Sequence, residues 1–323
     1  MTESNSSEPN KIAFDELLKE RRRDRFWRNI RFGVIMSIAV TALIIQAPLF
    51  MSFGDKGDKN FEETPYVAMV SISGAIQENN PRASDYGLRE MLRKAFEDEN
   101  SEGVVIKISS PGGTPVQSNL IRERIERLKE KTGKRVIVVG EEAMASGAYL
   151  VAMAADKIYA QSASIVGSIG VRMTTFGASD LIKKLGVERR VYTAGAKKVE
   201  LDPWQPESDA AVAHAETILN DIHAQFIDTV KANRGDKIDL SNTDLFSGQY
   251  WTGRQAIELG LIDGVANLSD AINEEFNTRS VRRYGPPNNL LTRLGVFVQT
   301  AADILTDASG TQFETQIDTV WGY

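Results

Sequence analysis

Residues 32–54 carry no charged side chain, and the chain on either side is patterned quite differently. The core of that segment, Phe32 to Met51, is almost unbroken apolar sequence. About twenty residues of helix span roughly 30 Å, the hydrocarbon thickness of a bilayer. The segment therefore predicts a transmembrane anchor. The polar tail before it, residues 1–31, ends in a basic cluster that includes Arg21, Arg22, Arg23, Arg25, Arg28 and Arg31, with Trp27 at an interfacial position. Only Lys56 and Lys59 follow closely. That asymmetry predicts a cytoplasmic N-terminus and an exported remainder. The alternative is a cleaved leader ending at Ser52-Phe53-Gly54, although both the basic region and the apolar stretch exceed what a leader needs.

After a polar linker at 55–64 the pattern changes to short apolar runs alternating with amphipathic stretches. Strands are predicted at about 66–72, 103–109, 135–139 and 157–160, and helices at about 83–99, 119–131 and from 146 onward. A longer helix is predicted over 207–234, where Val212, Ala215, Leu219, Ile222, Phe226 and Val230 recur at three- and four-residue steps. This alternation implies an α/β fold of repeated βαβ units with a mostly parallel sheet. The expected organisation is a basic tail (1–31), an anchor (32–54), a linker (55–64), a main domain (65–275) and a C-terminal tail (276–323). In that last tail Leu290, Leu291, Leu294, Phe297 and Val298 predict an amphipathic helix, read as docking on the body or a partner, or else lying on the membrane.

Composition narrows the chemistry. The 323 residues carry a net charge of -6, which argues against a nucleic-acid partner. There is no cysteine, which removes disulfides, thiolate metal sites and a thiol nucleophile together. The two histidines, His214 and His223, lie nine residues apart in the long helix, a setting that reads as structural.

Two stretches fall between a predicted strand and a predicted helix, where parallel sheets gather functional loops. In Ser109-Ser110-Pro111-Gly112-Gly113-Thr114 the paired glycines permit a sharp turn whose N–H groups could face an oxyanion, though most Gly-Gly pairs are simply turns. In Ala143-Met144-Ala145-Ser146-Gly147 a serine flanked by small residues sits at a helix start. It reads either as an N-cap or as an exposed nucleophile. A serine nucleophile needs a base, and the histidines are poorly placed, which leaves a lysine held neutral. An ordinary lysine titrates near 10.4 and a useful base near 7–8, so burial must supply about 4 kcal/mol. The adjacent Lys197 and Lys198 are the candidates. An extended path there would turn one inward and one to solvent, and spacing leaves open which.

Ser-Pro-Gly-Gly-Thr (110–114), Met-Ala-Ser-Gly-Ala-Tyr (144–149) and Ala-Ser-Ile-Val-Gly-Ser-Ile-Gly-Val (163–171) resemble the signal peptide peptidase A family. So do 186–195, Asp-Pro-Trp-Gln-Pro (202–206), Phe-Ser-Gly (246–248), Trp-Thr-Gly (251–253) and Gly-Leu-Ile-Asp (260–263), in the family's order across roughly 65–270. The resemblance implies a ClpP/crotonase-like fold and a serine endopeptidase with Ser146 as nucleophile. Registered on Gly195 and Asp202-Pro203, the family's lysine base falls on Lys198 and Lys197 becomes a variable position, with Val199 where a small residue is usual. It further implies Ser168 as the hydroxyl that orients the amine, and the N–H groups of Gly113 and Gly147 as oxyanion donors. The expected substrates are cleaved signal peptides in a bacterial inner membrane, met by an extracytoplasmic domain in a homo-oligomeric ring, with no cofactor, metal or nucleotide. Two rivals keep the fold: a crotonase-like acyl-transfer enzyme, and a catalytically silent membrane scaffold.

Overall fold

The computed structural model describes residues 65–285, position 196 apart. The anchor at 32–54, the tail 1–31, the linker 55–64 and the helix expected near 290–305 all lie outside these residues.

The centre is an eight-stranded sheet. Strands β1 (Tyr66–Ser73), β2 (Ser101–Ser110) and β3 (Arg135–Ala145) lie side by side in parallel. On one side β3 pairs with both β4 (Lys157–Ala160) and β5 (Ile165–Gly167), and β5 pairs with β6 (Tyr250–Thr252). Beyond β4 lies β7 (Gly264–Val265), and on the far edge β8 (Val281–Tyr284) pairs with β1. Every pairing is parallel except β5 with β6. The mostly parallel α/β sheet read from the alternation is thus present.

The three central strands are apolar through their middles, at Val67–Val70, Val104–Ile106 and Val136–Val139, because both faces are covered there. One face (Val70, Ile72, Ile106, Val138) packs against Leu88, Leu92 and Phe96 of α1 (Asp85–Glu97) and Ile121 and Ile125 of α2 (Pro115–Thr132). The other (Met69, Val105, Ile137) packs against Ala271 and Ile272 of α7 (Leu268–Phe276). Helix ends follow local chemistry. Ser84 accepts from Gly87 N to start α1, and Pro115 opens α2 where no N–H is needed. Gly133, at φ 67°, closes α2 by donating to Lys129 O. The remaining helices are α3 (Gly147–Ala152), α4 (Ser179–Lys184), α5 (Asp209–Arg234) and α6 (Gly253–Glu258).

β3 serves two neighbours in succession. Its first half, Ile137–Gly140, is laddered to β4, and its last residues, Ala143–Ala145, to β5. The β2–β3 register shifts between Ile108 and Ser110, so Ser110 stands opposite Met144. The carboxyl ends of β2 and β3 therefore emerge side by side, β2 leading through a four-residue turn into α2 and β3 turning at Ser146 into the helix that begins at Gly147. β8 lies beyond the boundary expected at 275: the main sheet continues to Tyr284 rather than giving way to a tail.

Candidate functional site

The end of β3 turns into α3 at Ser146, whose backbone takes φ 51° and ψ -124°. A side chain there costs about 1–3 kcal/mol and persists only where the surroundings impose it. Here the Ser146 N–H donates to Gly167 O at 2.8 Å, and Ser146 O accepts the first helical bond, from Leu150 N, at 3.0 Å. Its hydroxyl makes no cap bond to the helix and has no partner among the described residues. Of the two readings open for this serine, the capping one is therefore not what the geometry shows. A strained strand-to-helix turn that projects a serine is the geometry of a nucleophile elbow.

The glycine turn after β2 lies against this elbow. Gly112 has φ 97°, and a Cβ placed on it would stand 2.8 Å from Ser146 Cβ and 2.7 Å from Gly147 N. A Cβ on Gly147 would stand 3.3 Å from Gly113 N and 2.2 Å from the Ser118 hydroxyl. The turn is held from the other side by Ile76, whose N–H donates to Gly112 O and whose O accepts from Thr114 N, both at 2.8 Å. Those bonds pass over Gly113. Among the described residues neither the Gly113 N–H nor the Gly147 N–H has an acceptor. Two unspent donors thus flank a half-buried, unpartnered serine. α3 itself is fixed behind: Tyr149 is fully buried and its hydroxyl donates to Leu261 O at 2.6 Å. Burial pushes the Tyr149 phenol well above its usual range.

These groups open onto a cavity of about 1350 Å³ whose lining includes Gly113, Ser146, Gly147, Ser168, His223 and Phe226. Ser168, like Ser146, has a positive φ of 54°. Its N–H donates to Gln249 O at 2.8 Å. A Cβ on Gly167 would meet the Trp251 ring at 2.8 Å, which explains a glycine immediately before it. Four of the five expected site residues (Gly113, Ser146, Gly147 and Ser168) therefore share one cavity.

Lys198 does not join them within this chain. The stretch does not take the extended path under which one lysine would turn inward: it forms turns over residues 197–201, with Lys198 N donating to Gly195 O at 3.2 Å. Both lysines are exposed, Lys197 lies 3.6 Å from Glu200, and neither lines the cavity. They sit on an arm, residues 171–205, that closes on itself. Ala178 N donates to Pro203 O at 2.6 Å, Arg189 pairs with Asp202 at 2.7 Å, and Phe176 meets Trp204 edge-on at 6.2 Å. Little on this arm is buried. Met173, Phe176, Leu181, Leu185, Val187 and Tyr192 are 48 to 89% exposed.

Two residues of the site were not singled out in the sequence. Ser118, fully buried in α2, seats against Gly147, and only the adjacency of β2 and β3 reveals that. His223 lines the cavity wall from α5, whereas its helical setting reads as structural. Among the described residues no cluster could hold a metal ion, and no helix is long and apolar enough to cross a membrane.

The pattern of peptidase family S49 matches residues 128–282. A Synechocystis protein named "Putative protease slr0021" is 31% identical over 208 residues, 64% of this chain and 71% of that protein. The Arabidopsis thaliana protein named "Serine protease SPPA, chloroplastic" is 33% identical over 222 residues, 64% of this chain and 31% of that one. A Brucella abortus protein named "Na(+)/H(+) antiporter NhaA" is 44% identical over 232 residues, 70% of this chain. The chain spans only 31% of the length of that relative.

Proposed function

The chain belongs to peptidase family S49, and from that premise we propose that it is a serine endopeptidase with Ser146 as nucleophile and Lys198 as general base. One observation carries the reading: a strained, uncapped serine flanked by two N–H groups that none of the described residues uses. Ser146 Oγ attacks the peptide carbonyl, and the Gly113 and Gly147 N–H groups receive the oxyanion. Preorganised donors of this kind are worth about a hundredfold to a thousandfold each in rate. The lysine amine, uncharged at that moment, takes the hydroxyl proton and passes it to the leaving amine. It then activates the water that releases the acyl group. Ser168, on the same cavity wall, orients the amine. The fold is read as ClpP/crotonase-like.

Because Lys198 stands exposed and off the cavity, the base is read as reaching Ser146 of a neighbouring copy. The exposed apolar side chains of the 171–205 arm support such an assembly, since a patch of that kind on a soluble surface calls for a partner. The full reading is a homo-oligomeric ring anchored in the bacterial inner membrane by residues 32–54. Its domain is extracytoplasmic, and it degrades cleaved signal peptides without a metal or cofactor.

Fluorophosphonate labelling of the detergent-solubilised full chain tests this directly. Wild type labels, whereas Ser146→Ala and Lys198→Ala do not, and Lys197→Ala is unaffected. Labelling of Ser146→Ala ends the proposal, and loss in Lys197→Ala instead moves the base by one position. Rings reassembled from a mixture of Ser146→Ala and Lys198→Ala chains regain cleavage if sites are shared, and stay silent if each chain must supply its own lysine.

A further inference from the structure

His223 stands in the middle of α5, and its Nε2 lies 3.1 Å from Ile169 O. A carbonyl only accepts, so Nε2 carries the proton and donates. Ile169 is fully buried and follows Ser168 directly. The turn leading into Ile169 is strained at Ser168, which has φ 54°, directly after Gly167 at φ 93°. Beside the Ser146 N–H bond to Gly167 O, two further contacts restrain it. Ser168 N donates to Gln249 O at 2.8 Å, and the backbone at Gly170 passes close enough to Gly248 that an added Cβ would lie 2.9 Å from its Cα. Both come from the 248–249 side. The His223 bond is the one that α5 supplies, and it is made on the cavity wall that His223 and Ser168 share. A non-glycine residue keeps positive φ only where its neighbours over-determine it, and His223 is one of the groups that do so here.

We infer that His223 is a positioning residue for the Ser168 turn, holding the Ser168 hydroxyl toward the Ser146 cavity through the Ile169 carbonyl. The inference rests on the Ser146 peptidase reading and adds a residue to it. His223 has no proton-transfer role in this account: its Nε2–H orients the Ile169 carbonyl, and Lys198 is the base. The other charged groups lining the cavity are Arg122, Glu123 and Arg172. Arg122 is paired with Glu126 at 2.6 Å, and Glu123 accepts from Asn119 at 2.7 Å.

The test compares His223→Ala, His223→Gln and Ser146→Ala in the detergent-solubilised full chain, reading casein cleavage against pH together with thermal melts. A glutamine amide places its N–H near the position of Nε2, so His223→Gln is expected to keep near wild-type kcat and the wild-type acid limb. His223→Ala is expected to lose about tenfold in kcat with little change in KM, the scale of one lost hydrogen bond. Unchanged kcat in His223→Ala beside an inactive Ser146→Ala overturns this inference alone. So does an equal loss in both His223 variants with unaltered melting, or an acid limb displaced in His223→Gln, which would mark the imidazole as a titrating base. An active Ser146→Ala overturns this inference and the peptidase reading together.

Discussion

Gly147→Ala is the sharpest small perturbation of the elbow, because its cost can be worked from named atoms. The new Cβ would stand 2.2 Å from Ser118 Oγ, where ordinary contact begins near 3.4 Å. Ser118 cannot simply swing aside. It is fully buried, and its hydroxyl donates to Thr114 O at 3.0 Å. Accommodation therefore costs that bond, about 1 kcal/mol, plus overpacking strain of about 1–3 kcal/mol. We expect Gly147→Ala to lose about 2–4 kcal/mol of unfolding free energy. Ser118→Ala alone should cost about 1 kcal/mol or less, since Thr114 O still accepts from Ser118 N at 3.1 Å. In the double variant the nearest atoms become the 118 Cβ at 3.2 Å and Gly113 N at 3.3 Å, contacts that a shift of a few tenths of an ångström relieves. The pair should thus be less damaging than the sum by about 1–2 kcal/mol. Denaturant unfolding of the four proteins at one fixed concentration measures the cycle, with fluorophosphonate labelling reporting the fate of the Gly147 N–H. A Gly147→Ala protein within 0.5 kcal/mol or so of wild type, or strict additivity in the cycle, would refute the close seating of α2 on the elbow.

The other predictions concern the ion pairs that hold the site's scaffold. Asp263 accepts from Ile158 N at 2.8 Å, Arg234 at 2.7 Å and Lys237 at 3.0 Å, with Asp263 6% and Arg234 2% exposed. Asp263→Asn should cost about 3–5 kcal/mol in denaturant unfolding, because it leaves a buried guanidinium uncompensated. Burial alone would raise the Asp263 carboxyl, but the Ile158 N–H and Arg234 outweigh it and hold it below 3.8. A depressed folded value means its contribution is complete above the unfolded value near 3.8 and is lost as pH falls through the folded one. Asp263→Asn should lose that acid dependence, and an unchanged stability profile below pH ~4 would contradict the assignment. Asp85, held below its usual range chiefly by hydrogen bonding from Arg124 at 2.7 Å, ties α1 to α2. Asp85→Asn should cost about 1–3 kcal/mol in the same assay, and no measurable loss would show the pair to be idle.

What the sequence revealed and what it hid divide along physical lines. Val104 to Ile106 and Val136 to Val139 announced themselves because strands buried on both faces must be apolar throughout. β8 did not, because Val281-Arg282-Arg283-Tyr284 is an edge strand, and edges carry charge to discourage further pairing. The motif around Ser146 was legible as a serine at a helix start, but capping and projection differ by one backbone rotation that composition does not encode. Gly-Leu-Ile-Asp, recognised only as a matching string, proves to be the hub where Asp263 joins β4 to α5. Whether the lysine stretch runs extended or turns could not be read from the sequence, because its geometry depends on contacts across the arm, such as Arg189 with Asp202, that no local pattern carries. His223 was hidden for a similar reason. α5 leaves most of its residues exposed and buries only Ala211, Phe226, Val230 and Arg234, so its periodicity could not say which partly exposed residue faced a cavity.

The two halves of the proposed chemistry are built to different standards of rigidity. The nucleophile and both oxyanion donors sit where β2 and β3 deliver adjacent turns, backed by the fully buried Ile76, Ser118 and Tyr149. The lysine sits on an arm whose α4 buries none of its residues. Folding therefore fixes the oxyanion site whether or not a second copy is present, while the base is left to whatever covers the arm. On this reading assembly supplies the position of the lysine and shields it from water. A chain that has folded but not yet assembled would carry a serine aimed at an empty cavity and a lysine unable to use it.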